Sequence, residues 1–134
     1  MRTEKKLKLK QLRHWRIRKT VNGTAERPRM SVCFTNENIH VQFIDDLAGK
    51  TLAAVSTVSK GAAKEYSANV NGAKVVGKLA AEAALAKGIK AVVFDRGGAR
   101  YHWSEAKGKD GKPEKKLGKL ATLAEAAREA GLKF

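Results

Sequence analysis

The residues best suited to chemistry lie at positions 91–103, which read AVVFDRGGARYHW. An apolar run typical of a buried strand ends at Asp95, and two arginines, two glycines and three ring side chains follow. A nucleotide-binding phosphate loop needs Lys-Ser/Thr after its glycines, and this stretch lacks that pair. Arginines can instead bind phosphates with two hydrogen bonds, and Tyr101, His102 and Trp103 can stack on unpaired bases. The segment therefore predicts RNA contact, with a tight turn of solvated side chains as the alternative.

A second set of residues consists of carboxylates at predicted strand ends, Asp45, Asp46 and Asp95. Clustered acids of this kind are typical of Mg²⁺-dependent nucleases, which makes a nuclease the alternative function. Against it, Asp45 and Asp46 lie in a predicted hairpin turn, where Asp is frequent for backbone reasons. Glu65 and Glu82 are more simply interpreted as helix-surface residues. We therefore expect no enzymatic activity. Mg²⁺-dependent cleavage that is lost in Asp45→Ala or Asp95→Ala would show the opposite.

The three histidines and the one cysteine are spaced too far apart to predict a metal site. His14 lies in the basic leader, His40 on the polar side of a strand and His102 in the arginine-rich loop. We expect them to be hydrogen-bonded or solvated, with stacking on RNA as the alternative for His14 and His102. Cys33 lies in an apolar run, which predicts a small buried side chain in a reducing compartment. No cofactor is expected.

The most unusual property of the composition is its charge. The 134 residues contain 28 Lys+Arg and 13 Asp+Glu, a formal net charge of +15. Residues 1–29 contribute +9, residues 30–95 only +1 and residues 96–134 the remaining +5. A basic leader beside a nearly neutral centre is typical of proteins that bind nucleic acids.

The leader, residues 1–26, is predicted to be a disordered basic arm. Its apolar residues scatter around a helical wheel instead of forming one stripe: Leu7, Leu9, Leu12, Trp15 and Ile17. An interfacial membrane helix needs that stripe, so membrane binding is disfavoured. The sequence shows no signal-peptide pattern and no run of about 18 apolar residues, so we expect a soluble cytosolic protein. A solvated charge run that only maintains solubility is the alternative to nucleic-acid binding.

The elements that must position these residues form an α/β pattern. Short apolar or alternating runs predict strands at residues 30–35, 39–44 and 51–57, most simply an antiparallel meander. A helical period follows at about 68–87 and ends near Gly88, with small residues that permit close approach to a sheet. The uninterrupted apolar run 89–94 predicts a parallel fourth strand, buried on both faces and reached by a helical crossover. The arginine-rich loop therefore starts at the carboxyl end of this strand.

The last part of the chain combines a polar segment with one more helix. Residues 104–119 contain six Lys, three Gly, one Pro and three acids, which predicts a mobile loop. A final helix is predicted over about 120–130, with Gly131 after its end.

In five segments that occur in order, the chain resembles the bacterial large-subunit ribosomal protein L18 family. These are RHWRIRKTVNGTAERPRMSV (13–32), NIHVQFIDD (38–46), GKTLAAVST (49–57), KGIKAVVFDRGGARYH (87–102) and LAEAAREAGLKF (123–134). The DRGG-x-x-YH and AAREAGL-x-F signatures are the most specific parts of the match.

The resemblance implies binding of 5S rRNA and its attachment to large-subunit rRNA in the central protuberance, with ribosomal protein L5 nearby. It also implies a ribonuclease-H-like α/β fold without catalytic acids. The protein would be located in cytoplasmic ribosomes. Residues 27–134 would form a single domain after the arm, with a Lys-rich insertion at about 104–118. Carried over by position, the RNA-facing residues are Arg13, His14, Arg16, Arg18, Lys19, Arg27, Arg29, Asn36, Arg96, Gly97, Gly98, Tyr101 and His102. The loop chemistry adds Arg100.

The chain departs from the family pattern at four places. Trp15 stands where the family often has another Arg, and would either stack on a base or pack. Phe34 and Glu37 stand where basic residues are usual, which argues against phosphate contact from the first hairpin. About fifteen residues between His102 and Gly118 replace a short turn, and this insertion would either reach additional RNA or lie at a free surface.

Overall fold

The computed structural model describes residues 2–58 and 67–134. The elements along the chain are helix α1 (Thr3–Arg18), strands β1 (Arg29–Phe34), β2 (Ile39–Asp45) and β3 (Lys50–Ser56), helix α2 (Val70–Ala86), strands β4 (Val93–Asp95), β5 (Trp103–Lys107) and β6 (Pro113–Leu117), and helix α3 (Lys119–Glu129). Glu65, predicted to lie on a helix surface, is outside the described residues. Within these two ranges, no helix has both the length and the apolar character needed to cross a membrane.

The main sheet has the strand order β3-β2-β1-β4. β1, β2 and β3 pair antiparallel, and β4 lies parallel to β1 with Met30 opposite Phe94. The predicted meander and the parallel pairing of the fourth strand are therefore confirmed, but Val93 and Phe94 are only half-buried, so the strand is not buried on both faces as predicted. Because successive side chains of a strand point to opposite faces, the alternation in β2 buries Ile39, Val41 and Phe43, each 0% exposed. Helix α2 makes the crossover from β3 to β4.

The fourth strand is shorter than the apolar run 89–94 predicts. Only Val93–Asp95 pair with β1. The preceding residues pair with the C-terminal segment instead, because Ala91 forms a parallel bridge with Lys133 and the Val92 N–H donates to the Lys133 carbonyl at 3.0 Å. The first part of the apolar run pairs with the C-terminal segment and the last part pairs with β1. The apolar composition of the run does not distinguish these two partners.

Helices α2 and α3 pack on each other and enclose the core. Val76 and Ala80 of α2 and Leu123 of α3 are each 0% exposed. The small residues of α2 do permit a close approach, and at Gly77 this approach is to α3 rather than to the sheet. A Cβ atom added to Gly77 would lie 2.5 Å from the carbonyl oxygen of Leu123. A side chain at this position would therefore push the two helices apart.

Helix α1 occupies most of the leader, where the sequence predicts a disordered arm. It contains neither Pro nor Gly and is dominated by Lys, Leu, Arg and Gln, which all have high helix propensity. All its residues are exposed or half-buried, and Leu7 and Trp15 are 62% and 59% exposed. The scattered apolar residues that disfavour an interfacial membrane helix thus lie on a helix that buries no residue.

The Lys-rich segment is an antiparallel hairpin of β5 and β6, not the predicted loop. Trp103 pairs with Leu117 at its base and Lys107 with Pro113 near its tip. The tip contains Asp110-Gly111, with Gly111 at φ +73°, a conformation that Asp-Gly pairs favour in hairpin turns. Apart from Leu117, every residue of the two strands is exposed, so turn geometry and backbone pairing define the hairpin rather than a buried face.

Candidate RNA-binding surface

A cleft of about 550 Å³ lies between α1 and the turn that follows β4. We call this cleft the arm cleft and the turn, residues 96–100, the glycine corner. Lys6, Lys10, Arg13 and His14 line the cleft from α1. These positions share one side of the helix because residues three, four and seven apart lie above one another. The helix therefore presents three cations to the glycine corner.

The two glycines of the corner have different roles. Gly97 has φ +58°, and a Cβ atom there would lie 2.5 Å from the carbonyl oxygen of Val32 in β1. Its lack of a side chain is thus required inside the protein. Gly98 has φ +84° and is exposed, and its nearest neighbour is Nε2 of His14, at 3.5 Å from an added Cβ. Gly98 therefore leaves free space in the arm cleft, whereas Gly97 fixes the turn against the sheet.

A chain of ion pairs connects the end of α1 to the glycine corner. Arg18 Nη2 lies 2.8 Å from Asp46 Oδ1, and Arg29 Nε lies 2.9 Å from Asp46 Oδ2. Arg29 Nη1 then lies 2.8 Å from Asp95 Oδ2, and Asp95 Oδ1 accepts the N–H of Gly97 at 3.0 Å. The end of α1 is thus connected to the glycine corner through the exposed Arg18 and the buried or partly buried side chains of Asp46, Arg29 and Asp95.

Arg29 lies at the centre of this chain, and the structure does not bring it to the surface with the other predicted RNA-facing residues. Its side chain is 7% exposed, and its guanidinium binds both Asp46 and Asp95. Burial alone would lower the pKa of Arg29, but the hydrogen bonds to the two carboxylates outweigh burial and raise it. The hydrogen bond from Arg29 is the main cause that lowers the pKa of Asp46, with further support from the Gly23 N–H and the charge of Arg18.

The three acids of the nuclease alternative stabilise the fold. Asp45 is buried and its Oδ1 accepts the backbone N–H groups of Leu47 and Ala48, as expected for a turn-forming Asp. Asp46 and Asp95 share the guanidinium of Arg29. Within residues 2–58 and 67–134, no three His, Cys, Asp or Glu side chains are arranged to hold a metal ion. The geometry assigns these carboxylates to structure.

The loop beyond the glycine corner is joined to α3 and to the hairpin. The Tyr101 hydroxyl donates to Glu125 Oε1 at 2.8 Å and accepts from Arg128 at 3.3 Å. Burial and the hydrogen bond to Glu125 raise the pKa of Tyr101. The same Tyr101–Glu125 hydrogen bond lowers the pKa of Glu125. His102 is exposed and packs over Gly118, whose N–H donates to the His102 carbonyl oxygen at 2.9 Å. Tyr101 nevertheless remains 37% exposed.

The other predicted RNA-facing residues are exposed but do not converge on the arm cleft. Arg27 is held by its Nε, which donates to the Val92 carbonyl oxygen at 3.2 Å. Asn36 lies in the turn between β1 and β2. The exposed side chains in this group are Arg16, Lys19, Arg27, Asn36, Arg96 and Arg100. Their position at the surface is compatible with RNA contact, which stays a prediction for each of them.

Sequence reasoning did not identify Lys6, Lys10 and Phe34, which all line the arm cleft. The spacing of Lys6, Lys10 and Arg13 would have indicated a common face if the leader had been read as a helix. In the sequence, Phe34 differs from its family pattern only by the loss of a basic residue, which does not indicate a place in a cleft. The expectation of a buried Cys33 is wrong, because neighbouring Val32 takes the inward position of β1 and Cys33 points to the exposed side, where it also lines the cleft.

The histidines differ in their environments. His40 is paired with the Ser56 hydroxyl at 2.9 Å, which confirms the expectation of a satisfied strand histidine. Nε2 of His14 is buried and has no hydrogen-bond partner among the described residues. It lies against Gly98 in the wall of the arm cleft, and its burial keeps it out of contact with a molecule in the cleft. Trp15 does not pack in the core, because it is 59% exposed.

Comparison with known proteins agrees with the sequence signatures. Residues 4–134 match a protein-family model described as "Ribosomal L18 of archaea, bacteria, mitoch. and chloroplast". A protein of Clostridium botulinum named large ribosomal subunit protein uL18 is 50% identical over 122 residues, which cover 91% of this chain and 89% of that protein. A protein of the same name from Lactobacillus delbrueckii subsp. bulgaricus is 49% identical over 129 residues, covering 96% of this chain and 95% of that protein.

Proposed function

The chain belongs to the ribosomal protein L18 family, and from this premise we propose that it is a structural constituent of the large ribosomal subunit that binds 5S rRNA. On this proposal it helps to attach that RNA to the large-subunit rRNA in the central protuberance, beside ribosomal protein L5. It works in cytoplasmic ribosomes and is not an enzyme. The strand order β3-β2-β1-β4 with a parallel β4 supports a ribonuclease-H-like topology for its domain, residues 27–134.

The observation that carries the proposal is the arm cleft. Lys6, Lys10 and Arg13 face the glycine corner across it, so a phosphate backbone in the cleft would contact cations on one side and the glycine backbone, which has no side chain in the way, on the other. Binding would be driven mainly by the release of counterions from the RNA. If roughly 6–10 cations meet phosphates, affinity falls by about 10³–10⁵ between about 50 and 200 mM salt.

The arm is proposed to become ordered only on RNA. Helix α1 buries none of its side chains, and an isolated helix of this length is marginal in water because nucleation is costly. Its cations also repel one another until phosphates lie between them. NMR of the full chain should show poorly dispersed signals for residues 2–18 without RNA and helical shifts with it. Helical shifts in the free protein would contradict this part of the proposal.

The proposed function is tested by measuring the affinity of the protein for a 5S rRNA transcript and for tRNA, which has the same phosphate backbone. The variant Lys6→Ala/Lys10→Ala/Arg13→Ala should lose most of the affinity for 5S rRNA. Its matched control removes three exposed lysines of the rest of the fold, Lys74, Lys78 and Lys90, and should retain it.

Two results would overturn the proposal. Equal affinity of the wild-type protein for 5S rRNA and tRNA would remove the specificity that it claims. Equal losses in the two triple variants would show that total charge, rather than the arm cleft, determines binding.

A further inference from the structure

A second cleft lies at the base of the β5–β6 hairpin. Its volume is about 420 Å³, and we call it the hairpin pocket. Its apolar walls come from four elements: Phe34 of β1, Val70 of α2, Leu117 of β6 and Leu120 of α3. The pocket therefore exists only because the hairpin folds back towards the sheet and the two helices.

Three exposed cations line the hairpin pocket, Arg100, Lys116 and Lys119. Arg100 belongs to the glycine corner, Lys116 to β6 and Lys119 to the first turn of α3. In the described part of the chain, no ion pair with a carboxylate is formed by any of the three. The pocket thus combines an apolar interior with positive charge from three separate elements, which fits an apolar group attached to an anion.

The hairpin pocket borders the arm cleft, because Phe34 and Ala99 line both of them. An RNA chain in the arm cleft is therefore the nearest source of an occupant with an apolar and a charged part, since each nucleotide carries both a base and a phosphate.

We propose that the hairpin pocket receives one unpaired nucleotide of the RNA held in the arm cleft, an inference that rests on the proposed function. The base would lie among Phe34, Val70 and Leu117, and its phosphates would contact Arg100, Lys116 and Lys119. Proteins commonly recognise RNA by such splayed-out bases, which stack on aromatic side chains beside a cationic groove. A volume near the lower end of the range for small-molecule sites, about 300–1,000 Å³, suits one nucleotide rather than a base pair.

The inference gives the Lys-rich insertion a specific role. The register pairs Ser104 with Lys116, so both point to the same face of the hairpin, and both line the pocket. Trp103 and Lys115 point to the other face, where the Lys115 ammonium lies 4.7 Å from the Trp103 ring. Ser104 and Lys116 are therefore the pocket-facing side chains of the paired strands, and Leu117, which pairs with Trp103, adds to the pocket from the base of the hairpin, just before α3.

The experiment compares two double variants with equal loss of charge, using the full chain and a 5S rRNA transcript. Lys116→Ala/Lys119→Ala removes two of the three pocket cations and leaves Arg100, and Lys109→Ala/Lys112→Ala removes two exposed lysines at the hairpin tip. The pocket variant should weaken binding about tenfold and reduce the slope of log affinity against log salt by about 1.4, the value for two phosphates of a single strand. The tip variant should weaken binding less than about threefold, because it changes only the general field.

A third variant tests the apolar interior without a change of charge. Ser104→Trp should fold, because the position is exposed on a strand where Trp is favoured, and its ring would fill the pocket. We expect weaker RNA binding with an unchanged salt slope. Equal effects of the two double variants, or full affinity of Ser104→Trp, would overturn the inference.

Failure of the inference is distinguishable from failure of the proposed function. If the wild-type protein binds 5S rRNA specifically while the pocket variants match their controls, only the hairpin pocket is wrong. If the wild-type protein does not prefer 5S rRNA, the proposed function fails first. If the pocket variants lose affinity for ribosomal protein L5 and keep their affinity for RNA, the occupant is a protein segment and the inference is overturned.

Discussion

Replacing Arg29 with Met tests whether this residue acts in the interior or on RNA. The wild-type side chain is 7% exposed and lies between Asp46 and Asp95, at 2.9 and 2.8 Å. Methionine has a similar length but carries no charge, so Arg29→Met leaves Asp95, itself 9% exposed at the side chain, without its cation. Asp46 keeps Arg18 and the Gly23 N–H as partners. The main expected cost is therefore an uncompensated carboxylate inside the protein.

Removal of one partner from a buried ion pair typically costs about 3–5 kcal/mol of the free energy of unfolding. For a chain of this length, the usual unfolding entropy converts that loss into a drop of about 10–18 °C in Tm. Thermal and urea unfolding followed by circular dichroism would measure both quantities. The variant Arg29→Met/Asp46→Asn/Asp95→Asn should regain part of the loss, because it removes the unpaired charges as well.

The difference in free energy of unfolding between wild type and Arg29→Met should change with pH in a defined direction. Arg29 lowers the pKa of Asp46 in the folded protein below its ordinary value of 3.8. The stabilisation from this interaction is complete above that ordinary pKa and is lost as the pH falls through the lower pKa of the folded state. The difference in free energy of unfolding between wild type and Arg29→Met should therefore be constant near neutral pH and become smaller below about pH 4.

RNA binding by the folded Arg29→Met variant distinguishes the two roles. A residue that contacts no phosphate leaves the salt slope of binding unchanged, whereas loss of one phosphate contact lowers it by about 0.7–0.9. We expect an unchanged slope. Unaltered stability together with a lower slope would refute the assignment of Arg29 to the interior and return it to the RNA-facing set.

Three further predictions concern the arm and the glycine corner. Deletion of residues 1–20 should severely weaken binding of 5S rRNA while unfolding stays cooperative, because α1 contributes no buried side chain; undiminished binding would refute the role of the arm. Arg96→Ala should lower RNA affinity in a filter-binding assay, and an unaffected Kd would leave the corner as a plain turn. Gly97→Ala should lower Tm more than Gly98→Ala, because only the Cβ at residue 97 would lie within 3 Å of another atom; equal Tm values would contradict the close approach to Val32.

Periodicity alone predicted most of the main sheet and its helices. The meander, the crossover helix, the parallel fourth strand and the last helix all depend on which side chains alternate or repeat, and this is written in the order of residues. Family signatures such as DRGG-x-x-YH indicated an RNA-binding protein before any contact was known. Charge distribution, with +9 in residues 1–29, identified the arm as the main basic segment.

Tertiary structure decided the features that depend on residues far apart in the chain. In the sequence, Arg29 is one of many cations. It becomes an interior residue because the fold places Asp46 and Asp95 beside its guanidinium. The apolar residues at 89–92 predict burial, but the pairing of Ala91 with Lys133 depends on the position of the C-terminal segment in the fold. The hairpin and the exposed helix α1 depend on backbone hydrogen bonds, which leave little hydrophobic pattern to read. Hydrophobic periodicity therefore determines which face is buried, whereas the partner of each charge is determined only when the chain folds.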